Sequence, residues 1–203
     1  MNSISISKLV TILLVPSLFF FCRPKEEETT DAIVSFIVGK ATAEKAGSVL
    51  KASDRVIESE IVKTDKDATL DLTTTLGTVR LLGGSEASIA ALRADQNYIK
   101  INSGNILVKV AKLKKNESIS IDTPTVVAAV RGTQFWGQVN PANETGTFAV
   151  REGSVQITRK DDEARVLVKA GEAVDLGPGI KALKVRPAAA GELSAMEQID
   201  QMK

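Results

Sequence analysis

The stretch TPTVVAAVRGTQF, from Thr123 to Phe135, places a proline, a run of small apolar residues and an Arg-Gly-Thr triplet in immediate succession. Proline has no N–H to donate, so Pro124 suits the first position of a β-strand. The run Val126–Val130 carries no polar residue, which predicts a strand buried on both faces. Gly132 permits a sharp turn or a close backbone approach. The stretch therefore predicts a buried strand that ends abruptly at the arginine.

Arg131 follows the apolar run directly and needs an explanation, because burying an unpaired charge costs several kcal/mol. In a structural interpretation, the guanidinium of Arg131 hydrogen-bonds to loop carbonyls and to a carboxylate at the end of a strand. Asp122 is the candidate carboxylate. In a functional interpretation, Arg131 receives an acidic group of a partner. Both interpretations stay open, and the candidate partner-contact or structural residues are Arg131, Gly132, Thr133 and Trp136.

Phe135 and Trp136 are adjacent, so in a strand one points inward and the other outward. An outward Trp136 is an interface anchor in the functional interpretation. In the structural interpretation it caps the core.

Short runs of alternating apolar residues recur on both sides of this stretch, separated by Gly, Asp, Asn and Ser. A small unit of strand, residue plus Gly, and strand appears as SGNILV, EGSVQI and AGEAVD. We expect hairpins that turn at Glu152-Gly153 and at Ala170-Gly171. The pattern predicts an all-β domain over residues 33–187, built as a sandwich or as a short solenoid-like stack of β turns.

The composition excludes several classes of function. Lys and Arg number 26 against 25 Asp and Glu, which argues against a nucleic-acid partner. The chain has no His and one Cys, so the commonest general base and metal ligands are missing. Neither a nucleophile elbow nor a phosphate loop is present. We therefore expect no catalytic residues, metal, cofactor or small-molecule substrate, although scattered carboxylates leave a hydrolase as a remote alternative.

The N-terminus has the layout of a signal peptide: Lys8, then the apolar stretch Leu9–Phe21, then Cys22. The apolar stretch is shorter than the roughly 20 residues that span a bilayer. Because the sole cysteine stands at its end, residues 1–21 resemble a bacterial lipoprotein signal, of the looser spirochaete type, with Cys22 as the lipidated (palmitate-bearing) residue. The alternatives are an uncleaved anchor or an ordinary signal peptide, since Phe20 and Phe21 stand where small residues are usual.

Two further segments flank the β domain. Residues 22–32 are polar and charged, which favours a flexible tether. Residues 188–203 favour a helical tail, with Leu193, Met196, Ile199 and Met202 at every third position. This tail packs on the domain in one interpretation and binds a partner in the other.

The order of the motifs resembles the FecR domain over roughly Ile33 to Leu176. The Thr-Pro and Val-Arg-Gly-Thr elements of the opening stretch are the most recognisable, and Asp65 departs from the family, which more often has Gly there. The motifs that carry the resemblance are DRVIESEIVKTDKDATLDL, GTVRLLGGSEASI, INSGNILVKV, IDTPTVVAAVRGTQF, VREGSVQI and VKAGEAVDL.

The resemblance implies an envelope signal transducer, because FecR proteins receive a signal in the periplasm from an outer-membrane transporter and control a sigma factor through a cytoplasmic segment. From the sequence we expect no spanning helix after the signal and no cytoplasmic segment. We expect a lipid-anchored periplasmic module for protein binding, signal sensing or scaffolding, on the inner or the outer membrane, with an envelope protein as partner. The alternative is a purely structural lipoprotein that binds peptidoglycan or its neighbours.

Overall fold

The computed structural model describes residues 31–202, so the expected signal peptide, Cys22 and the tether up to residue 30 lie outside the described part. The strands are β1 Ala32–Val38, β2 Ala41–Ala43, β3 Ser48–Val49, β4 Arg55–Val56, β5 Ile61–Thr64, β6 Thr69–Thr73, β7 Gly77–Leu81, β8 Glu86–Leu92, β9 Gln96–Val110, β10 Ser118–Asp122, β11 Val126–Val130, β12 Gln134–Asn140, β13 Thr145–Glu152, β14 Ser154–Arg159, β15 Arg165–Lys169, β16 Glu172–Leu176 and β17 Val185–Pro187. Helix α1, Ala190–Glu197, and a 3-10 helix, Gln198–Gln201, follow.

The strands form two sheets that share the long strand β9. Sheet 1 has the order β4-β1-β6-β7-β9-β12-β13-β16-β17. Sheet 2 has the order β3-β2-β5-β8-β9-β10-β11-β14-β15. All of these pairs are antiparallel except β9 with β10. Buried apolar residues of both sheets form one core, so the predicted all-β fold is confirmed, as a sandwich with a short C-terminal helix.

The recurring residue-plus-Gly unit marks places where the chain passes from one sheet to the other. The predicted turns are present, but the expected hairpins at Gly153 and Gly171 are wrong, because β13 and β14, like β15 and β16, belong to different sheets. A turn with positive φ suits both a hairpin within one sheet and a crossing between two sheets. The residue-plus-Gly unit alone therefore does not distinguish these connections. Glycines with positive φ stand at several such crossings: Gly39, Gly84, Gly104, Gly132, Gly153 and Gly171.

The crossing inside β9 is at Gly104, whose φ is +98°. Ser103 still pairs with β8 in sheet 2, whereas Gly104 already pairs with β12 in sheet 1. The Ser85 hydroxyl supports the bend by hydrogen bonds of 3.0 Å with the N–H and the carbonyl of Asn105. The central strand of each sheet is thus one continuous segment bent at a glycine.

The core contains a buried pair of aromatic rings, and several edge strands are short or end in proline. Phe135 and Phe148 are fully buried, with ring centroids 6.3 Å apart. At one side of the sandwich the edge strands β3 and β4 have only two residues each, and β17 at the other side ends in Pro187. Short edges and proline limit pairing with another chain.

The opening stretch departs from its prediction in two ways. In β11, Val126, Ala128 and Val130 are buried, but Val127 is half-buried and Ala129 is exposed, so burial on both faces is wrong. The outward-facing residues Val127 and Ala129 are apolar, so no polar side chain revealed the exposure. Pro124 lies in the turn before β11 and not at the first strand position, since Thr123 N–H donates to Val126 across that turn at 2.9 Å.

Candidate functional site

A groove of about 790 Å³, here called the end groove, lies at one end of the sandwich. Its walls are the β6–β7 turn, the end of β9 with the residues after it, and the β11–β12 connection. The lining residues are Thr73–Thr78, Lys109–Leu113, Arg131–Gln134 and Glu152. Three of the four residues singled out in the sequence, Arg131, Gly132 and Thr133, therefore meet here.

The Arg131–Thr133 turn is held by contacts below the groove. Gly132 has a φ of +63°. Thr133 is buried, and its hydroxyl donates to the Ser154 carbonyl at 2.9 Å and to the Arg131 carbonyl at 3.3 Å. Gly132 and Thr133 thus have structural roles, and they leave the Arg131 side chain exposed at the rim.

The expected ion pair between Arg131 and Asp122 is wrong. In the β10–β11 hairpin Asp122 lies opposite Val127, whereas Arg131 follows the other end of β11. Asp122 is buried and pairs with Lys160 at 2.5 Å. The pKa of Tyr98 is raised, mainly because the side chain is buried and in second place because it hydrogen-bonds to Asp122. Within residues 31–202, Arg131 has no side-chain hydrogen bond or ion pair.

A smaller groove of about 390 Å³, here called the face groove, lies on the outer face of sheet 2. Arg131 lines both grooves. Lys112 at the end groove and Lys115 at the face groove are exposed, and neither forms an ion pair with a described residue. Glu117 of the face groove is engaged by Lys114, whose backbone N–H is the main cause that lowers the pKa of Glu117.

Trp136, the fourth candidate residue, lies away from both grooves on the outer face of sheet 1. Phe135 points into the core, and Trp136 points outward, as the alternation predicts. However, Trp136 is half-buried in an apolar cluster made by the chain's own C-terminal segment, residues 190–202. The members of that cluster are Leu107, Ala149, Ala173, Met196, Ile199 and Met202, with Leu82, Trp136 and Ala188 beside them.

Basic side chains of sheet 1 also hold this C-terminal segment, by donating to its backbone carbonyls. Arg80 donates to Gln198 at 3.2 Å, Lys109 to Met202 at 2.6 Å and Arg151 to Met196 at 3.0 Å. Positive charge is favourable where helical carbonyls are unsatisfied. Sequence reasoning missed these three residues; their only signal was a basic residue that directly follows a valine in a strand.

Acidification is expected to loosen the C-terminal segment. Arg186 lies 2.6 Å from Asp175 and 2.6 Å from Glu192, and its hydrogen bonds lower the pKa of both carboxyls from ordinary values of 3.8 and 4.5. When the C-terminal segment is released, these two carboxyls regain their ordinary pKa values. The released state therefore takes up protons more readily than the packed state does. The stabilisation of the packed C-terminal segment by the Arg186 ion pairs is complete above about pH 4.5. It is lost as the pH falls through the lowered pKa values of the two carboxyls. The emission of Trp136, the sole tryptophan, should report the release.

The Glu192→Gln variant is expected to show a smaller acid-dependent change in Trp136 emission, because its side chain no longer titrates. Glu163→Gln is the matched control, since Glu163 is exposed and forms no ion pair with a described residue. Identical titration curves for the wild-type protein and Glu192→Gln would contradict the assignment.

Part of the β domain matches a known protein family. The family FecR protein matches residues 60–156, slightly less than half of the chain, and the resemblance seen in the sequence is confirmed over these residues. Arg131, Gly132, Thr133 and Trp136 all lie within the match. No curated protein matches the chain in sequence.

Two crystal structures of a candidate anti-sigma factor from Parabacteroides distasonis share the fold. Each has a TM-score of 0.57 and 15% sequence identity, over 68% of this chain and 64% of that chain. The likeness at this identity concerns the fold alone. Within residues 31–202, no helix is long and apolar enough to cross a membrane, and no group of three His, Cys, Asp or Glu side chains is placed to hold a metal ion.

Proposed function

We propose that this chain is a non-enzymatic module of the cell envelope that senses a signal by binding a protein partner. The FecR domain at residues 60–156 supports a signalling role. The observation that carries the proposal is the exposed Arg131, presented at a groove by a hydrogen-bonded turn and unpaired within the described residues. An arginine fork matches carboxylates, and arginine is enriched at protein interfaces.

The anchoring belongs to the same proposal. Residues 1–21 serve as a lipoprotein signal, Cys22 carries the lipid and residues 22–32 tether the domain, which faces the periplasm. The single cysteine at the end of the apolar stretch supports this arrangement. The chain then receives a signal at the membrane without being a complete sigma-factor regulator.

Replacing Cys22 with alanine is expected to abolish incorporation of radiolabelled palmitate and to move the protein out of the membrane fraction. Cys22 is the only cysteine, so no other thiol can replace it. The measurement is metabolic labelling of source cells followed by membrane fractionation. Thr29→Ala in the tether is the control and should keep the label. Persistent label in Cys22→Ala would refute lipidation at this residue.

Site-specific cross-linking in intact source cells tests the binding function. A photo-reactive amino acid is placed at Thr75, an exposed residue of the end groove, and separately at Lys184, an exposed residue outside it. We expect the Thr75 probe to capture one defined envelope protein that the Lys184 probe does not. Capture of peptidoglycan alone, or of the same abundant neighbours from both positions, would leave only a structural role.

A further inference from the structure

Three exposed cations lie together around the two grooves. Arg55, Arg159 and Arg186 each contact at least one carboxylate. Lys112, Lys115 and Arg131 have none among the described residues, although the whole chain has a formal net charge of only +1. Three unpaired positive charges at two grooves indicate that an anion belongs there.

The geometry indicates an extended ligand. A Cβ on Gly132 would lie 3.4 Å from Cα of Lys112, so the Arg131–Gly132 turn lies directly against the segment that carries Lys112. Arg131 lines both the end groove, of about 790 Å³, and the face groove, of about 390 Å³. The two grooves therefore meet at Arg131 and lead from the end of the sandwich onto the outer face of sheet 2. A path that turns a corner suits a chain better than a compact molecule.

The groove walls also select among anions. Glu152, in the end groove, repels a ligand with charge at every position, such as a nucleic acid or a sulfated polysaccharide. Threonine and serine side chains along both grooves, including Thr75, Ser118 and Ser120, can hydrogen-bond to peptide groups. Spaced carboxylates on a peptide fit this pattern of separated cations, hydroxyls and two carboxylates, of which Glu117 is already engaged by Lys114.

We propose that the end groove and the face groove form one path that binds an extended acidic segment of the partner protein. The Arg131 guanidinium binds one carboxylate through two N–H donors, and Lys112 and Lys115 attract carboxylates on either side of it. This inference rests on the proposed function and adds the chemistry of the segment that the module recognises.

The test uses the full chain and the peptide fluorescein-Gly-Glu-Gly-Thr-Glu-Gly-Thr-Glu-Gly-amide, whose binding is measured by fluorescence anisotropy at low salt. We expect Arg131→Gln to weaken binding about tenfold. Arg131→Lys should recover only part of the affinity, because lysine keeps the charge without the planar fork. The double change Lys112→Gln with Lys115→Gln should weaken binding severalfold and reduce its salt dependence.

Arg165→Gln is the matched control, since Arg165 is exposed, lines neither groove and carries the same charge. It should bind the peptide as the wild-type protein does. Equal weakening by Arg165→Gln and Arg131→Gln would overturn the proposal, as would equal binding of the peptide with every Glu replaced by Gln. Arg131-dependent binding of heparin or of phosphatidylglycerol vesicles, without binding of the peptide, would also overturn it.

The cross-linking experiment separates this inference from the function on which it rests. A partner that is still captured from Thr75 by the Arg131→Gln variant shows that the module binds its partner without the acidic segment, so only this inference fails. Peptide binding that depends on Arg131, without any defined partner in cells, contradicts the proposed function instead.

Discussion

Replacing Gly104 with alanine is expected to lower the free energy of unfolding by roughly 3 kcal/mol or more. Gly104 has a φ of +98°, and a Cβ there would lie 2.5 Å from Cα and 2.3 Å from Oγ of Ser85. Ser85 cannot move away freely, because its hydroxyl bonds both backbone groups of Asn105. Since β9 passes between the sheets at this residue, the overlap strains both sheets. Urea unfolding followed by circular dichroism measures the loss.

Gly171→Ala is the matched control for this prediction. Gly171 has a similar φ of +81°, but nothing lies within 4 Å of the Cβ position. Its replacement should cost only the conformational penalty, about 1 to 2 kcal/mol. If the two variants lose the same stability, the contact with Ser85 does not determine the requirement for glycine at the bend.

Asp71→Asn is expected to destabilise the domain by about 3 to 5 kcal/mol, because it leaves the buried Arg80 cation without its carboxylate. Arg80 donates to the two oxygens of Asp71 at 2.6 and 2.8 Å, and both side chains are almost fully buried. The remaining contacts of Arg80, the Gln198 carbonyl and the Phe36 ring, carry no full charge. Urea unfolding, with Trp136 emission as a second probe, measures the effect on the domain and on the C-terminal segment.

Two further variants define what this ion pair contributes. Asp31→Asn removes an exposed pair with Arg55 and should change stability by at most about 1 kcal/mol. The double variant Asp71→Leu with Arg80→Met should recover much of the loss from Asp71→Asn, because no charge is then buried alone. An Asp71→Asn variant as stable as Asp31→Asn would contradict the view that Arg80 depends on Asp71.

Part of the candidate site was predictable from local chemistry. Gly132 after the apolar run predicted a turn, and the cost of burying Arg131 predicted that it would leave the core or find a partner. The choice between these outcomes was not predictable, because it depends on which end of the β10–β11 hairpin carries Asp122. The groove itself was invisible in the sequence, since its walls come from segments near residues 75, 112, 132 and 152.

The sequence by itself determined the strands, the turns and the match of residues 60–156 to the FecR family, because alternation, glycine turns and motif order are local properties of the chain. Only the tertiary structure decided which turns cross between sheets and which faces are covered. Trp136 is sheltered by residues 190–202, and Ala129 is left exposed, although both lie on outward faces of their strands. The cover on a strand comes from residues distant in the chain, so a strand's own pattern of side chains cannot reveal it.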